Sequence, residues 1–521
     1  MKFKIKSKGW VVALGLILFA GVLFYIVNYT RIFKNSPNVI IILTDDMDMK
    51  LLPYVPKTNA LIGEQGAPFT NYFITTPICC PSRSSMLRGQ YSHNTDILEN
   101  SPGFPRFFKR NEEAETLAVW LNREGYQTAL IGKYLNGYPV NAGRNYVPPG
   151  WTEWRSFIYQ KEQSNLYYDY IMNENGPLVQ YGSAPEDYST DVIREKSINF
   201  INNRATDHSP FFLLISVFGP HGPTTPAPAD ENLFEGLEYP QTPSFHEADL
   251  SDKPKVIRDL ASNGDDFDIG DANNLFKKRA QTLQSIDRLV EEVVQTLKEN
   301  GQLENTYIIF ASDNGFHMGE HSVPSGKGTP YEEDIRVPFM IRGPGIEPNT
   351  EITQMTANID LAPTIAELTD SKIATFVDGR SFASLLGLNN NPPATWRKGL
   401  LIEIGYGDDT SFNNVQNISF GLPEIELPSL EYPDSAYDDY FAQSEGGSYR
   451  GIRTENFVYV EYDSGELEFY DLTKDPYQLE NAAATLDPAF QAQLHATLEL
   501  LKSCEGEVCR SLENELNFET K

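Results

Sequence analysis

Four apolar runs in this sequence end in residues able to do chemistry. NVIIILT is followed by Asp45-Asp46, QTALIG by Lys133, FFLLISVFGP by His221, and TYIIFAS by Asp313-Asn314. Asp45, Asp46, Asp313 and Asn314 offer only hard oxygen donors. Adjacent carboxylates repel one another unless a cation neutralises them, and an all-oxygen set suits Ca²⁺ or Mg²⁺ rather than Zn²⁺. Taken singly, each pair is a turn former or a helix cap. Four such ends gathered in one crevice are harder to explain that way, because ligands of open α/β sheets bind beyond the carboxyl ends of the strands.

The stretch PICCPSRSSMLRG, residues 77–89, adds a nucleophile position and an anion site. Cysteine is usually a small buried hydrophobe. Here two of only four in the chain stand beside Pro81, Ser82 and Arg83, which are surface and turn residues. Pro81 suits the first turn of a helix running through SRSSMLRG, with Cys79 just ahead of its N-terminus. Helix N-termini attract anions, and Arg83 adds a fixed cation able to grip an oxyanion. Lys133, His221 and Lys327, the last in SGKGTPYEED, supply further positive or proton-donating groups. A metal, an anion cradle and a nucleophile together describe transfer of a tetrahedral anion, sulfate or phosphate.

The elements that must position these residues alternate in kind. NVIIILTDD is a continuous apolar run, as expected of a strand buried on both faces. AETLAVWLNREG reads as helix, YQTALIGKY as strand, STDVIREKSINFINNRA as helix, FFLLISVFGPH as strand, residues 273–300 as helix and TYIIFASDNG as strand. That order predicts an α/β fold with a large, mostly parallel sheet between helices. Residues 223–270 are loop-rich and read as a surface excursion near the ligand site. After about residue 400 the pattern changes to short antiparallel strands, with Ser464-Gly465 at one turn, and a final helix over 488–502 that leads into a cysteine pair. The expected division is a catalytic domain over 37–400 and a smaller α+β subdomain over 401–521.

With 521 residues, 40% of them apolar and 22% charged, the chain has the composition of a globular protein. Its net charge of −30 argues against a nucleic-acid partner, since phosphate binding needs clustered Lys and Arg. Lys2, Lys4, Lys6 and Lys8 precede the uncharged segment 10–29, which is long enough to span a bilayer. The segment reads as a signal anchor, with residues 1–9 in the cytosol, a linker at 30–36 and the remainder outside. A cleaved signal peptide, giving a secreted protein, is the second reading. Cys504 and Cys509 are close enough in sequence to form a disulfide in an oxidising compartment, two free surface thiols being the alternative. Asn417 lies in an Asn-Ile-Ser sequon.

CCPSR resembles the Cys-x-Pro-Ser-Arg signature of the formylglycine-dependent sulfatases, and Met-Leu-x-Gly follows as it does in that family. TDD, GKY, PH, SDNG and GKGTPYEE occur in the family's order across 37–345, and YDLTKDPYQLEN is similar to the family's second domain. GKYLNGY and LKSCEGEVCR are most similar to the N-acetylglucosamine-6-sulfatase and endosulfatase branch. The resemblance implies an alkaline-phosphatase-like fold and a sulfuric ester hydrolase. It implies that a formylglycine-generating enzyme oxidises Cys79, whose hydrated aldehyde attacks sulfur. By position it implies Ca²⁺, with Mg²⁺ as the alternative, held by Asp45, Asp46, Asp313 and Asn314 together with residue 79. Arg83 and that metal would favour the alkoxide, and Lys133, His221, Lys327 and His317 would contact the sulfate. His221 or Lys327 would protonate the leaving oxygen.

One departure is visible. Many members carry a histidine shortly after the GK lysine, whereas here Tyr134, Leu135 and Asn136 follow Lys133. His317, His321 and His93 are the candidates for the base that releases sulfate. The substrate is expected to be a sulfated sugar or small aryl sulfate. Chain-end attack is expected over action along a polyanion, because 72 acidic residues outnumber 42 basic ones and an acidic loop occupies 424–440. A phosphate or phosphonate monoester hydrolase, or an inactive ectodomain that binds sulfated glycans, are the rival readings.

Overall fold

A computed structural model describes residues 36–159, 165–207, 209–263, 267–388, 395–405, 447–516 and 518. The expected anchor at 10–29, the Asn417 sequon and the acidic loop at 424–440 lie outside these residues. No helix among the described residues is long and apolar enough to cross a membrane.

Fifteen strands occur among the described residues. Those of the first half are β1 (Asn38–Thr44), β2 (Ala67–Phe69), β3 (Tyr72–Phe73), β4 (Gln127–Gly132), β5 (Glu153–Phe157), β6 (Ile171–Glu174), β7 (Leu178–Gln180) and β8 (Phe211–Ser216). They are followed by β9 (Thr306–Ser312), β10 (Phe339–Arg342), β11 (Thr356–Ala357), β12 (Gly399–Ile404), β13 (Tyr449–Thr454), β14 (Phe457–Tyr462) and β15 (Leu467–Asp471). Nine form one mixed sheet in the order β2-β10-β9-β1-β8-β4-β5-β6-β7. Its centre, β9-β1-β8-β4-β5, is wholly parallel, and the pairs added at each edge are antiparallel. Parallel neighbours put their carboxyl ends on one edge, which is what brings the four predicted strand ends together.

Every residue of β1 is buried, so the strand alternates between two cores instead of between core and solvent. Val39, Ile41 and Leu43 pack in one apolar cluster with Trp120, Leu121 and Ile365, while Ile40 and Ile42 pack in a second with Phe276, Ile286 and Val290. The helices covering these faces include α1 (Cys79–Arg88), α2 (Leu117–Arg123), α3 (Ser189–Asp207), α4 (Ile269–Glu299) and α5 (Leu361–Leu368). Asp268 starts α4 by accepting from the backbone of Gly270 and Asp271, with Asp271 returning a bond in a capping box. Each fully buried aliphatic side chain contributes roughly 1.5–3 kcal/mol to this sandwich.

Of the remaining six strands, β3 and β11 pair in parallel, and β12 to β15 form an antiparallel sheet in sequence order. Its first strand begins at Gly399, and Gly465 takes a φ of 84° in the predicted β14–β15 turn. The sheet shares one core with Ile78, Tyr91 and Ile359, residues around α1, and with Leu494, Leu498 and Leu501 of α6 (Pro488–Leu501).

Four expectations need correction. Strands β5, β6 and β7, on one side of the sheet, have mixed, polar sequences without the two-residue alternation that marks a strand, and were not anticipated. The chain does not stop being helical at the cysteine pair: Cys504 and Cys509 form a disulfide, and α7 (Glu507–Glu515) follows. The loop-rich stretch 223–270 contains a helix, Lys255–Asn263. Cys79 is the first residue of α1, with Ile78 as the capping position, so the cysteine lies inside the helix start.

His93 fastens the C-terminal sheet to the catalytic body. Its Nδ1 lies 2.9 Å from Glu403 Oε1 on β12, and its Nε2 lies 3.0 Å from the Cys504 carbonyl. Burial works against the imidazolium, but Glu403, aided by the Cys504 carbonyl, raises the histidine to about 9 from its ordinary value of 6.5. A folded-state value above the unfolded one means the gain is complete below about 6.5 and is lost as pH rises through about 9; it amounts to at most about 3 kcal/mol. His93→Gln should therefore lower the melting temperature most below pH ~6.5 and remove much of the decline towards alkaline pH. Melting curves of the two proteins that ran parallel from pH ~6 to ~9.5 would rule the linkage out.

Candidate active site

Backbone ties among the parallel strands fix the carboxylates. Asp45 N donates to the Gly219 carbonyl at 3.2 Å, Asp313 N to Thr44 at 3.1 Å, and Lys133 N to Ser216 at 2.8 Å. Asp46 N donates to Asp313 Oδ1 at 3.1 Å, joining the two acidic turns directly. Asp46 has a φ of 67°, a left-handed conformation that few side chains adopt and that Asp tolerates better than most. One ligand atom from each of Asp45, Asp46, Cys79 and Asp313 falls within 4.8 Å of the others, and all four residues are buried.

Cys79 reaches this cluster from the start of α1. Its Sγ lies 3.3 Å from Asp45 Oδ1, 3.9 Å from Asp46 Oδ1 and 3.0 Å from Lys327 Nζ. Burial, reinforced by the Asp45 charge, pushes the thiol well above its ordinary value. As a thiol the residue is therefore a poor nucleophile, since the thiolate is the reactive form. Cys80 points away: its backbone N–H donates to Asn100 Oδ1 at 2.8 Å, and its Sγ lies close to where a Cβ on Gly103 would stand.

The expected cations surround the carboxylates and pair with them. Arg83 Nε donates to Asp313 Oδ2 at 2.7 Å, and its Nη1 donates to Ser216 Oγ and the Lys133 carbonyl. Only Nη2 lacks a hydrogen-bond partner, 3.4 Å from Asp45 Oδ2. Lys133 Nζ pairs with Asp45, and Lys327 Nζ donates to Asp46 Oδ1 at 2.7 Å. Burial opposes charge on Asp45, yet Lys133, with His221, Arg83 and Lys327, holds that carboxyl far below the ordinary range. Asp313 shifts the other way, raised by burial and by the neighbouring Asp45 charge.

The histidines separate. His221 Nε2 lies 3.8 Å from Asp46 Oδ2, while its Nδ1 contacts the Gly222 carbonyl at 2.8 Å. His317 sits one step back: its backbone is bridged to Gly326, next to Lys327, and its Nδ1 meets Asp334 at 3.0 Å. His321 Nδ1 is 2.7 Å from Glu247, and its ring packs 3.9 Å from Tyr331. His93 has both ring nitrogens committed at the subdomain junction, which removes it from the candidate bases. Sequence reasoning missed Ser216, Asp334 and Arg279. Arg279 carried a signal, a cation on the apolar stripe of α4 between Phe276 and Leu283.

The donors fit a hard divalent cation. Asp46 Oδ2 and Asn314 Oδ1 are buried oxygens with no hydrogen-bond partner, although Asn314 Nδ2 is satisfied by Asp46 Oδ1 at 2.6 Å. Unpaired buried acceptors are costly unless something electropositive meets them, and three carboxylates with an amide oxygen are the ligand chemistry of Ca²⁺ or Mg²⁺. Beside them stand a residue at a helix start, two lysines and a histidine. That arrangement can bind a tetrahedral anion and protonate a leaving oxygen.

Comparison with known proteins agrees. The family described as Sulfatase matches residues 37–371. N-acetylglucosamine-6-sulfatase of Capra hircus is 37% identical over 495 residues, covering 92% of this chain and 85% of that protein. A solved structure in complex with its substrate D-glucosamine-2-N,6-O-disulfate shares the fold with a TM-score of 0.70 at 22% identity, covering 93% of this chain and 100% of the other. A phosphonate monoester hydrolase from Silicibacter pomeroyi shares it with a TM-score of 0.63 at 20% identity, covering 88% of this chain and 93% of the other. The likeness to these two solved structures speaks for the fold alone; the extent and level of the sequence match go further, and they make this chain a member of the sulfatase family of hydrolytic enzymes.

Proposed function

We propose that this sulfatase removes sulfate esters from sugar hydroxyls, with N-acetylglucosamine-6-sulfate as the substrate class, using formylglycine made from Cys79 by a dedicated oxidising enzyme. The observation that carries the reading is the position of Cys79, in Cys-x-Pro-Ser-Arg register at a helix start, between the Asp45 carboxylate at 3.3 Å and Lys327 at 3.0 Å. The name of the Capra hircus relative supports the sugar class. The Cys504–Cys509 disulfide supports placing the catalytic domain outside the cytosol.

Formylglycine supplies a hydrated aldehyde hydroxyl as the nucleophile towards sulfur. A Ca²⁺ or Mg²⁺ ion held by Asp45, Asp46, Asp313 and Asn314 would supply charge for that hydroxyl and the ester oxygens. Lys133 and Lys327 draw the sulfate in and hold its oxygens. Arg83 keeps Asp313 oriented and leaves Nη2, beside Asp45, free of hydrogen-bond partners. The Gly222 carbonyl can only accept, so it keeps the proton of His221 on Nδ1 and makes Nε2 the atom that exchanges protons with the leaving oxygen. Burial of the cluster excludes water and strengthens each of these contacts.

Tandem mass spectrometry of the peptide carrying residue 79 is expected to find formylglycine at 79 and an intact thiol at 80. Cys79→Ala should abolish turnover, whereas Cys80→Ala should keep most of it. An unmodified thiol at 79 in fully active protein would overturn the assignment.

Exhaustive chelation is expected to remove activity, and added Ca²⁺ or Mg²⁺ to restore it. Asp313→Ala should lose at least about a hundredfold in turnover, several kcal/mol of transition-state charge stabilisation being at stake. Wild-type turnover by that variant after chelation would exclude the metal reading.

Turnover of sulfated mono- and disaccharides and of a small aryl sulfate is expected to exceed turnover of intact heparin, with aryl phosphate a poor substrate. The acidic composition repels a polyanion beyond about 8 Å only weakly at physiological salt, so the contrast should be sharpest at low salt. Preference for the polymer there would overturn the chain-end reading, and preference for the phosphate would favour the rival hydrolase.

A further inference from the structure

Consecutive side chains of an extended strand point to opposite faces. Asp45 and Asp46 directly follow β1, so with continuing strand geometry their carboxylates would diverge. The left-handed turn at Asp46, with its φ of 67°, breaks that alternation and lets both approach Cys79 Sγ, at 3.3 and 3.9 Å. The same turn aims the Asp46 carbonyl into the layer beneath the sheet, where a buried acceptor needs a donor. Arg279 of α4 supplies it: its Nη2 donates to the Asp46 carbonyl and, at 3.0 Å, to Asp48 Oδ2.

Arg279 is fully buried, and its Nε and Nη1 have no hydrogen-bond partner. Its guanidinium lies 4.1 Å over the Phe316 ring, a contact that suits a weakly hydrated planar cation. An apolar side chain on this stripe of α4, between Phe276 and Leu283, would pack without any such desolvation penalty. What the cation achieves is local: it holds the Asp46 carbonyl and the Asp48 carboxylate from beneath the sheet.

We propose that Arg279 is a positioning residue for the reaction centre, holding Asp46 in its left-handed conformation through the backbone carbonyl so that the Asp45 and Asp46 carboxylates converge beside residue 79. Lys327 and Asn314 hold the Asp46 carboxylate from the site side, at 2.7 and 2.6 Å; Arg279 holds its backbone from below. The inference rests on the proposed role of these carboxylates as metal ligands.

The test is Ca²⁺ titration by isothermal calorimetry on full-length protein stripped with chelator, alongside melting of the metal-free forms. Arg279→Met is expected to weaken Ca²⁺ binding by about 10- to 100-fold, the usual loss when the support behind a ligand is removed. Arg279→Lys, which keeps one donor, should recover part of it. Arg279→Met with Asp48→Asn leaves no unpaired buried charge, so it should fold even where the single variant does not, and should show the same weakening. Ca²⁺ affinity equal to wild type in either folded Met variant, whatever the change in melting temperature, would reduce Arg279 to a structural ion pair and overturn the proposal. A wild-type protein that binds no Ca²⁺ would instead overturn the metal reading on which it rests.

Discussion

Three carboxylates gathered in one water-excluded place is the constraint on which the rest of the structure depends. Like charges so close raise one another's proton affinity, and burial adds to the effect. The fold answers with three cations drawn from three separate elements: Arg83 from α1, Lys133 from the end of β4, and Lys327 from the loop after β9. Asp45 and Asp313 shift in opposite directions: Lys133 pairs with Asp45, whereas Asp313, although Arg83 donates to it, is raised by burial and by its neighbour's charge. A divalent ion would restore the balance and release the lysines to an anionic substrate.

Placing Lys327 requires the C-terminal sheet. Tyr449 of β13 donates to the Gly328 carbonyl at 3.2 Å, and Arg453 pairs with Glu332 at 2.6 Å. Glu468 of β15 accepts from Tyr331, Tyr462 and Tyr470, each at 2.7 Å, in a buried knot. Asp334 closes the other side, bonding the Thr329 backbone at 2.8 Å and His317 at 3.0 Å. The loop that carries the lysine is thus clamped between the two sheets, and the smaller sheet acts as part of the site's scaffold.

The parallel centre was legible because strands buried on both faces are continuous apolar runs, and because the polar residues just beyond each run stand out against them. The same logic recovered Asp45, Asp46, Lys133, His221, Asp313 and Asn314 as neighbours. Helix α1 was harder: Cys79 was expected ahead of it, although Ile78 has the extended capping conformation, since nothing in CCPSR fixes the first helical residue to within one position. The polar strands β5 to β7 lack the two-residue alternation, so their pairing is decided by the strand each one joins at that side of the sheet. Arg83 was read as a grip on the substrate oxyanion, but most of its donors hold protein groups. A sequence shows a cation near an anion site; it does not show which anion the cation meets.

The base that would release sulfate can be narrowed on the same electrostatic grounds. Burial alone would lower His317, but its contact with Asp334, and Glu320 and Glu333 beyond, hold it above the ordinary histidine value. His317 Nδ1 is held by Asp334 one step behind the cluster, which argues against the base role. His93 is committed elsewhere, and His321 is turned onto Glu247. His221 differs from all three. Its Nδ1 proton is fixed by the Gly222 carbonyl, and its Nε2, 3.8 Å from Asp46 Oδ2, is the nitrogen that borders the cluster. A group that gives a proton to the leaving oxygen in one half of a reaction is left as a base for the other half. With no histidine after Lys133, one residue serving both halves is the simplest economy consistent with where these side chains stand.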